Sequence, residues 1–317
     1  MEIIIDEVAK RKRQKIYELN GEVTLLPTLQ DMENVTGKVI IHLTGGKRIE
    51  HKGIKIELLG VIQGTKDAKD TLKFISLTQD LESPGMLLND VSTYNFSFNH
   101  VQKSYETYRG IAKSVKYLLR LSIDTTLKNL IYEQEFAVIN PVDRSRLSEE
   151  NKPIKLEVGI DEWLHLIFEM DSRNFGLKDI CTGKVTFKKA NIKLKSMEIQ
   201  IIKKEIINVT GVAPETSVIT KYEIMDGGPV KNETVPIRFF LKPYSLTPSM
   251  INVNNKFSVQ YFINLVLSDD VDRKYFKQHE ISLFRLKKEK KAQGGQMQMG
   301  VNDLGGASTN VEEMKLD

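Results

Sequence analysis

The residues of this chain that could do chemistry are few and widely spaced. His42, His51, His100, His165 and His279 are the only histidines, and Cys181 is the only cysteine. None lies at a metal-ligand spacing such as C-x-x-C or H-x-x-x-H. Asp161-Glu162-Trp163-Leu164-His165 carries half of a zinc-protease motif, but the second histidine is missing and the stretch has a strand pattern. In TGGKR (44–48), Arg48 stands where a phosphate loop needs Ser or Thr, so Gly45 and Gly46 read as hairpin glycines. Cys181 reads as a small apolar filler at the start of a strand, His165 as a sheet-face residue and Trp163 as core or half-core. No nucleophile is paired with a base. The chain therefore reads as a non-enzyme, with no catalytic residue, no cofactor and no metal site.

One stretch draws attention for a different chemistry. Tyr222-Glu223-Ile224-Met225-Asp226-Gly227-Gly228-Pro229 sets two large apolar side chains at the lip of a turn signal, where polar residues belong. Strict alternation puts Val218, Thr220, Tyr222 and Ile224 on one strand face. Ile219, Lys221, Glu223 and Met225 then share the other. Met225, on a side with charges, is expected to face solvent, while the pattern leaves core packing of Ile224 at least as good a reading as exposure.

The elements that hold these residues are strands. Period-2 alternation runs through Val35/Gly37/Val39/Ile41, Ile54/Ile56/Leu58, Val115/Tyr117/Leu119/Leu121, Leu164/Leu166/Phe168, Ile199/Ile201 and Val259/Tyr261/Ile263/Leu265. One buried and one polar face per strand points to antiparallel sheets. The order also repeats. VTGKV (35–39) returns as CTGKV (181–185), with the shared threonines Thr36 and Thr182 146 positions apart, and SVKYLLRLSID (114–124) returns as SVQYFINLVLSD (258–269), with Tyr117 and Tyr261 144 apart. The fold class is all-β: two antiparallel β-sandwiches in tandem, spanning residues 1–146 and 147–286. The join falls in the charged, Pro- and Ser-containing segment 140–153. Residues 287–317, rich in Gly, Lys and Gln, cannot build a core and are expected to be a disordered tail.

The bulk numbers exclude other classes. A net charge of +4 from 46 basic and 42 acidic residues is too small and too scattered to indicate nucleic acid. No run approaches the roughly 18 apolar residues of a membrane span, and no secretory signal is visible, so the chain reads as intracellular and soluble. The basic run Lys10-Arg11-Lys12-Arg13-Gln14-Lys15 has the composition of a nuclear signal or of a contact with anionic lipid, but it reads rather as a solvated loop before the Tyr17 strand, for want of apolar anchors. Inward positions filled with Ile, Leu, Phe and Tyr favour solid cores over a ligand carrier. What remains is an adaptor that works through loops and strand edges.

Several long blocks then resemble the vacuolar protein sorting twenty-six family, the arrestin-like subunit of retromer. They are KRIEHKGIKIELLGVI (47–62), KSYETYRG (103–110), LKDICTGKVTF (177–187), MEIQIIKKE (197–205), KYEIMDGGPVKNETVPIRFFL (221–241) and KFSVQYFINLVLSDDVDRKYFKQHEISLFR (256–285). The resemblance implies two arrestin-like sandwiches without enzymatic activity. It implies assembly with an α-solenoid subunit and a phosphoesterase-fold subunit, together with sorting nexins and the tails of membrane cargo. It also places the protein on the cytosolic face of endosomes, with membrane attachment only indirect; an arrestin-like adaptor outside retromer is the alternative. In the family the loop matching YEIMDG binds the solenoid subunit, which singles out Tyr222, Ile224, Met225, Asp226 and Gly227. An edge strand near 154–168 is a candidate to accept a cargo peptide by strand addition.

Overall fold

A computed structural model describes residues 1–45, 48–65, 70–149, 151–160 and 162–288. Gly46, Asp161 and all but the first two residues of the expected tail lie outside the described residues. The first half begins with β1 (Glu2–Ile5), β2 (Arg13–Tyr17), β3 (Val23–Leu29) and β4 (Val35–His42). It continues with β5 (Ile49–His51), β6 (Gly53–Gly64), β7 (Thr71–Glu82) and β8 (Gly85–Leu87). β9 (Val91–Phe98), β10 (Tyr108–Arg109), β11 (Lys113–Asp124) and β12 (Leu130–Val138) complete it. After the short helix α1 (Arg144–Glu149) come β13 (Ile154–Ile160), β14 (Leu164–Met170), β15 (Asn174–Gly176) and β16 (Ile180–Ala190). The second half ends with β17 (Leu194–Ile207), β18 (Glu215–Asp226), β19 (Thr234–Phe240), β20 (Met250–Val253), β21 (Phe257–Asp269) and β22 (Lys274–Phe284).

Each half is a sandwich of two main sheets. In the first, β1-β4-β9 faces β2-β3-β12-β11-β6-β7; in the second, β13-β14-β16-β19 faces β15-β22-β21-β17-β18. The internal repeat is thus a repeat of topology. β12-β11-β6-β7 corresponds to β22-β21-β17-β18, and the parallel pair β3/β12 to the parallel pair β15/β22. The two TGKV strands, β4 and β16, are each flanked by two antiparallel neighbours.

The shared glycine has a steric cause. A Cβ on Gly37 would strike the carbonyl of Ile4, and one on Gly183 would strike the carbonyl of Glu169. Both glycines let a neighbouring strand approach where a side chain would force it away.

The cores follow the alternation. Val35, Val39 and Ile41 are buried with Ile54, Ile56, Leu58, Tyr117, Leu119 and Phe136 in the first half. Leu166, Phe168, Val185, Phe187, Ile199, Ile201, Tyr261 and Ile263 do the same in the second. Each such side chain contributes about 1.5–3 kcal/mol by leaving water. Cys181 is fully buried in β16, where burial pushes its thiol far above the ordinary range, as a filler requires.

The join is more ordered than its composition predicts. Residues 144–149 form a helical turn, Arg144 grips Asp179 with two nitrogens at 3.1 and 2.7 Å, and Val142 bridges to Leu286. No described strand of one half pairs with a strand of the other, yet residues 1–287 form one compact unit. Polar and aromatic contacts tie the halves together. Glu205 of β17 accepts the N–H groups of Ile111 and Ala112, both at 3.0 Å. The ring of Tyr108 stacks on Phe257 at 5.8 Å.

Candidate partner-binding surface on the second half

β18 is the outer strand of its sheet, paired only with β17. Its pairing is interrupted twice. Ile201 lies opposite Thr220 and Ile202 opposite Val218, so Ile219 has no partner; Met197 lies opposite Met225 and Glu198 opposite Glu223, so Ile224 has none. Each is the extra residue of a β-bulge, and each bulge reverses the side on which the following residues project.

This overturns the strict alternation. Ile219, Tyr222, Ile224 and Met225 all lie half-buried against the core, while Val218, Lys221 and Glu223 are exposed. Met225, expected to face solvent beside Lys221 and Glu223, is carried by the second bulge to the same side as Tyr222. Sequence pairing rules cannot see this, because a bulge is defined by the partner strand.

The five residues singled out do lie together, in different roles. Tyr222 packs its ring against Phe239 at 5.3 Å, and its hydroxyl donates to the Phe240 carbonyl at 2.9 Å. Its hydroxyl is also 2.9 Å from that of Tyr244, which accepts from Thr220 Oγ1 at 2.8 Å. Burial, with the Tyr244 hydrogen bond, pushes the Tyr222 phenol up to about 12. Tyr222 therefore fastens β18 to the β19 side and leaves Ile224 and Met225 at the strand end. Asp226, exposed, is the last residue of β18 rather than part of a loop. The chain turns at Gly227, whose φ of 94° is a left-handed conformation suited to glycine and whose N–H donates to Lys195 O at 2.7 Å.

Sequence reasoning missed Val230, strongly exposed in the turn after Gly227, and the exposed cross-strand pair Ile180 and Phe240 on β16 and β19. It also misplaced Trp163. This side chain, expected in the core, is 59% exposed in the turn between β13 and β14. His165 is a sheet-face residue as expected, with Nε2 2.5 Å from Glu157 Oε1.

A second feature lies at the other sheet. β13 is an edge strand, paired only with β14. Beside it opens a cavity of about 430 Å³ lined by Glu157, Val158, Gly159, Lys274, Tyr275, Phe276 and Lys277. No group of metal-ligating side chains occurs among the described residues, and no described helix is long and apolar enough to cross a membrane.

A family profile described as vacuolar protein sorting-associated protein 26 matches residues 1–272. The chain belongs to this family. It is 39% identical to vacuolar protein sorting-associated protein 26B of Arabidopsis thaliana over 288 residues, which cover 90% of this chain and 94% of that protein. It is 42% identical to the proteins of the same name from Mus musculus and Homo sapiens over 290 residues, covering 90% of this chain and 84% of each. Membership of the vacuolar protein sorting 26 family carries a role in protein transport, as a retromer component in endosomal trafficking; it is a trafficking family rather than an enzyme family.

Proposed function

We propose that this chain is a non-enzymatic adaptor of the retromer coat that binds the α-solenoid subunit through the end of β18. Residues 1–146 and 147–286 act as two lobes in this reading, and the coat works on the cytosolic face of endosomes. The observation that carries it is the bulged end of an edge strand, free on its outer side, that holds Ile224 and Met225 half-buried beside an exposed turn. A bulge at a sheet edge re-aims side chains, and a flexible thioether can fill an irregular apolar groove. A few such residues can hold most of an interface's energy.

The phosphoesterase-fold subunit joins through the same complex. Sorting nexins and cargo tails bind elsewhere in this reading, with the free edge of β13 taking an extended cargo peptide by strand addition. No nucleic acid is involved.

The test is a pull-down of purified solenoid subunit by an Ile224→Asp/Met225→Asn variant, run beside its melting curve. Binding is expected to fall by roughly a thousandfold, at about 1.4 kcal/mol per decade. Both side chains touch the core, so the melting temperature of the variant is expected to drop while the chain stays folded at assay temperature. Normal binding by a folded variant would refute the reading.

A further inference from the structure

The basic run at 10–15 runs straight into Ile16 and Tyr17, and the fold sets further apolar side chains beside it from the next strand. β2 and β3 form a hairpin at the edge of the first half's large sheet, with Lys15 opposite Leu25 and Tyr17 opposite Val23. Arg13, Lys15, Tyr17, Val23 and Leu25 therefore project from one side. Gln14, Ile16 and Leu26 take the other side, where Ile16 and Leu26 close on Ala137 as a small separate core.

The outer side is bare. Tyr17 is 50% exposed, Val23 and Leu25 are each 49% exposed, and Leu19 at the tip is 58% exposed. The tip itself is a tight turn: Gly21 at φ 86° donates its N–H to Glu18 O at 3.0 Å. A solvated hairpin would carry polar residues here.

The charges complete the picture. Arg11 is committed to Glu33 and to the carbonyls of Asp6 and Thr28. Lys10, Lys12, Arg13 and Lys15 are exposed and make no ion pair among the described residues. Of the nearby acids, Glu18 is held by Arg109 at 3.1 and 3.2 Å, while exposed Glu22 meets only the neutral Asn20 amide, at 2.9 Å, and keeps its charge. Glu7, in the preceding turn, stays exposed. The free charge of the hairpin is thus mainly positive, and it surrounds an aromatic and aliphatic strip.

We propose that the outer face of the β2–β3 hairpin is a direct contact site for an anionic lipid surface, in addition to the indirect attachment that the family resemblance implies. Tyr17, Leu19, Val23 and Leu25 would enter the headgroup level while the four free basic side chains meet lipid anions. Neither set suffices alone; a weak apolar contact gains residence from the charge beside it. A second copy of the chain is a poorer occupant. Pairing of two β2 edges would bring Lys12, Arg13 and Lys15 against their own copies, and edge lysines oppose such pairing.

The experiment is co-sedimentation of the full chain with phosphatidylcholine vesicles, with and without phosphatidylserine, across a salt series. Binding is expected only with phosphatidylserine and should weaken as salt rises. Lys12→Gln/Lys15→Gln should weaken it about 25-fold, from about fivefold per basic side chain. Tyr17→Ser/Leu25→Ser should weaken it about tenfold or more with an unchanged melting temperature, since these side chains leave little core. Lys188→Gln/Lys256→Gln, exposed on the second half, should change nothing. Equal pelleting with both vesicle types, no pelleting with either, or wild-type binding by both hairpin variants would overturn the proposal. So would a dimer seen by sedimentation without lipid and abolished by Tyr17→Ser/Leu25→Ser, which would give the face to a second copy.

Discussion

Arg285 sets its Nε 2.9 Å from both carboxylate oxygens of Glu106, a residue 179 positions earlier in the chain. Glu106 also accepts the Asn140 N–H at 2.8 Å, and both partners are largely buried. The contact closes the end of the second half onto the first, beside the ordered join. Burial pushes the Glu106 carboxyl above its ordinary value, against the pull of Arg285. A buried pair of this kind is costly to break from one side, because the remaining charge has no partner.

Arg285→Ala is therefore expected to destabilise the chain by about 3 kcal/mol, and Arg285→Met/Glu106→Gln by clearly less. The single variant should also show a distinctive pH response. A carboxyl whose folded pKa is raised binds more protons in the folded state, so its contribution to stability improves as pH falls through that pKa. Mild acidification should narrow the gap between Arg285→Ala and wild type. Urea melts of the three proteins at several pH values check both statements, and a gap that widens on acidification would count against them.

Glu205 predicts the opposite sign. Burial raises its carboxyl, but the Ala112 N–H, the Lys203 ammonium at 3.2 Å and the Ile111 N–H outweigh it, and the net shift is downward. A depressed carboxylate adds stability that is fully present above its unfolded value and lost as pH falls through the folded one. Loss is expected below the ordinary glutamate value of 4.5. Glu205→Gln should lower stability at neutral pH by about 2 kcal/mol, from the weaker neutral acceptor, and should flatten the acid limb of the stability curve. An acid limb identical to wild type would show that Glu205 carries no such linkage.

The sequence exposes some of these features and hides others for a physical reason. Val39, Leu119, Phe168 and Ile263 could be placed in the core from alternation alone, since a strand with one wet face records its orientation in its own residues. The duplicated order was readable because matching strands, such as those of Tyr117 and Tyr261, occupy matching sheet positions. Met225 was misplaced because its side depends on a bulge against β17. Trp163 was misplaced because it falls in the turn between β13 and β14, one residue before the strand begins at Leu164. The hairpin face was overlooked for a third reason: Tyr17 and Val23 become neighbours only across the turn, so the strip beside Lys15 takes shape only once the two strands are paired. The contacts of Glu106 and Glu205 span long separations and carry no local pattern at all.

The repeated glycines offer the most direct check on the duplicated architecture. Gly183 lies opposite Met170, and a Cβ there would meet the Glu169 carbonyl and the Met170 thioether; Gly37, opposite Ile5, would meet the Ile4 carbonyl and the Phe96 ring. A side chain can rotate aside, but a paired backbone carbonyl can yield only if the strands part. Gly37→Ala and Gly183→Ala are each expected to cost about 2 kcal/mol or more, in the range of overpacked core positions. Gly159 in β13 is the control. Its nearest atom to an added Cβ is the Leu164 carbonyl at 3.9 Å, an ordinary contact, so Gly159→Ala should be neutral or slightly stabilising through the unfolded chain. Thermal melts of the three variants decide the matter. Equal effects at all three positions would mean that the two TGKV strands match in sequence without sharing a close approach between strands.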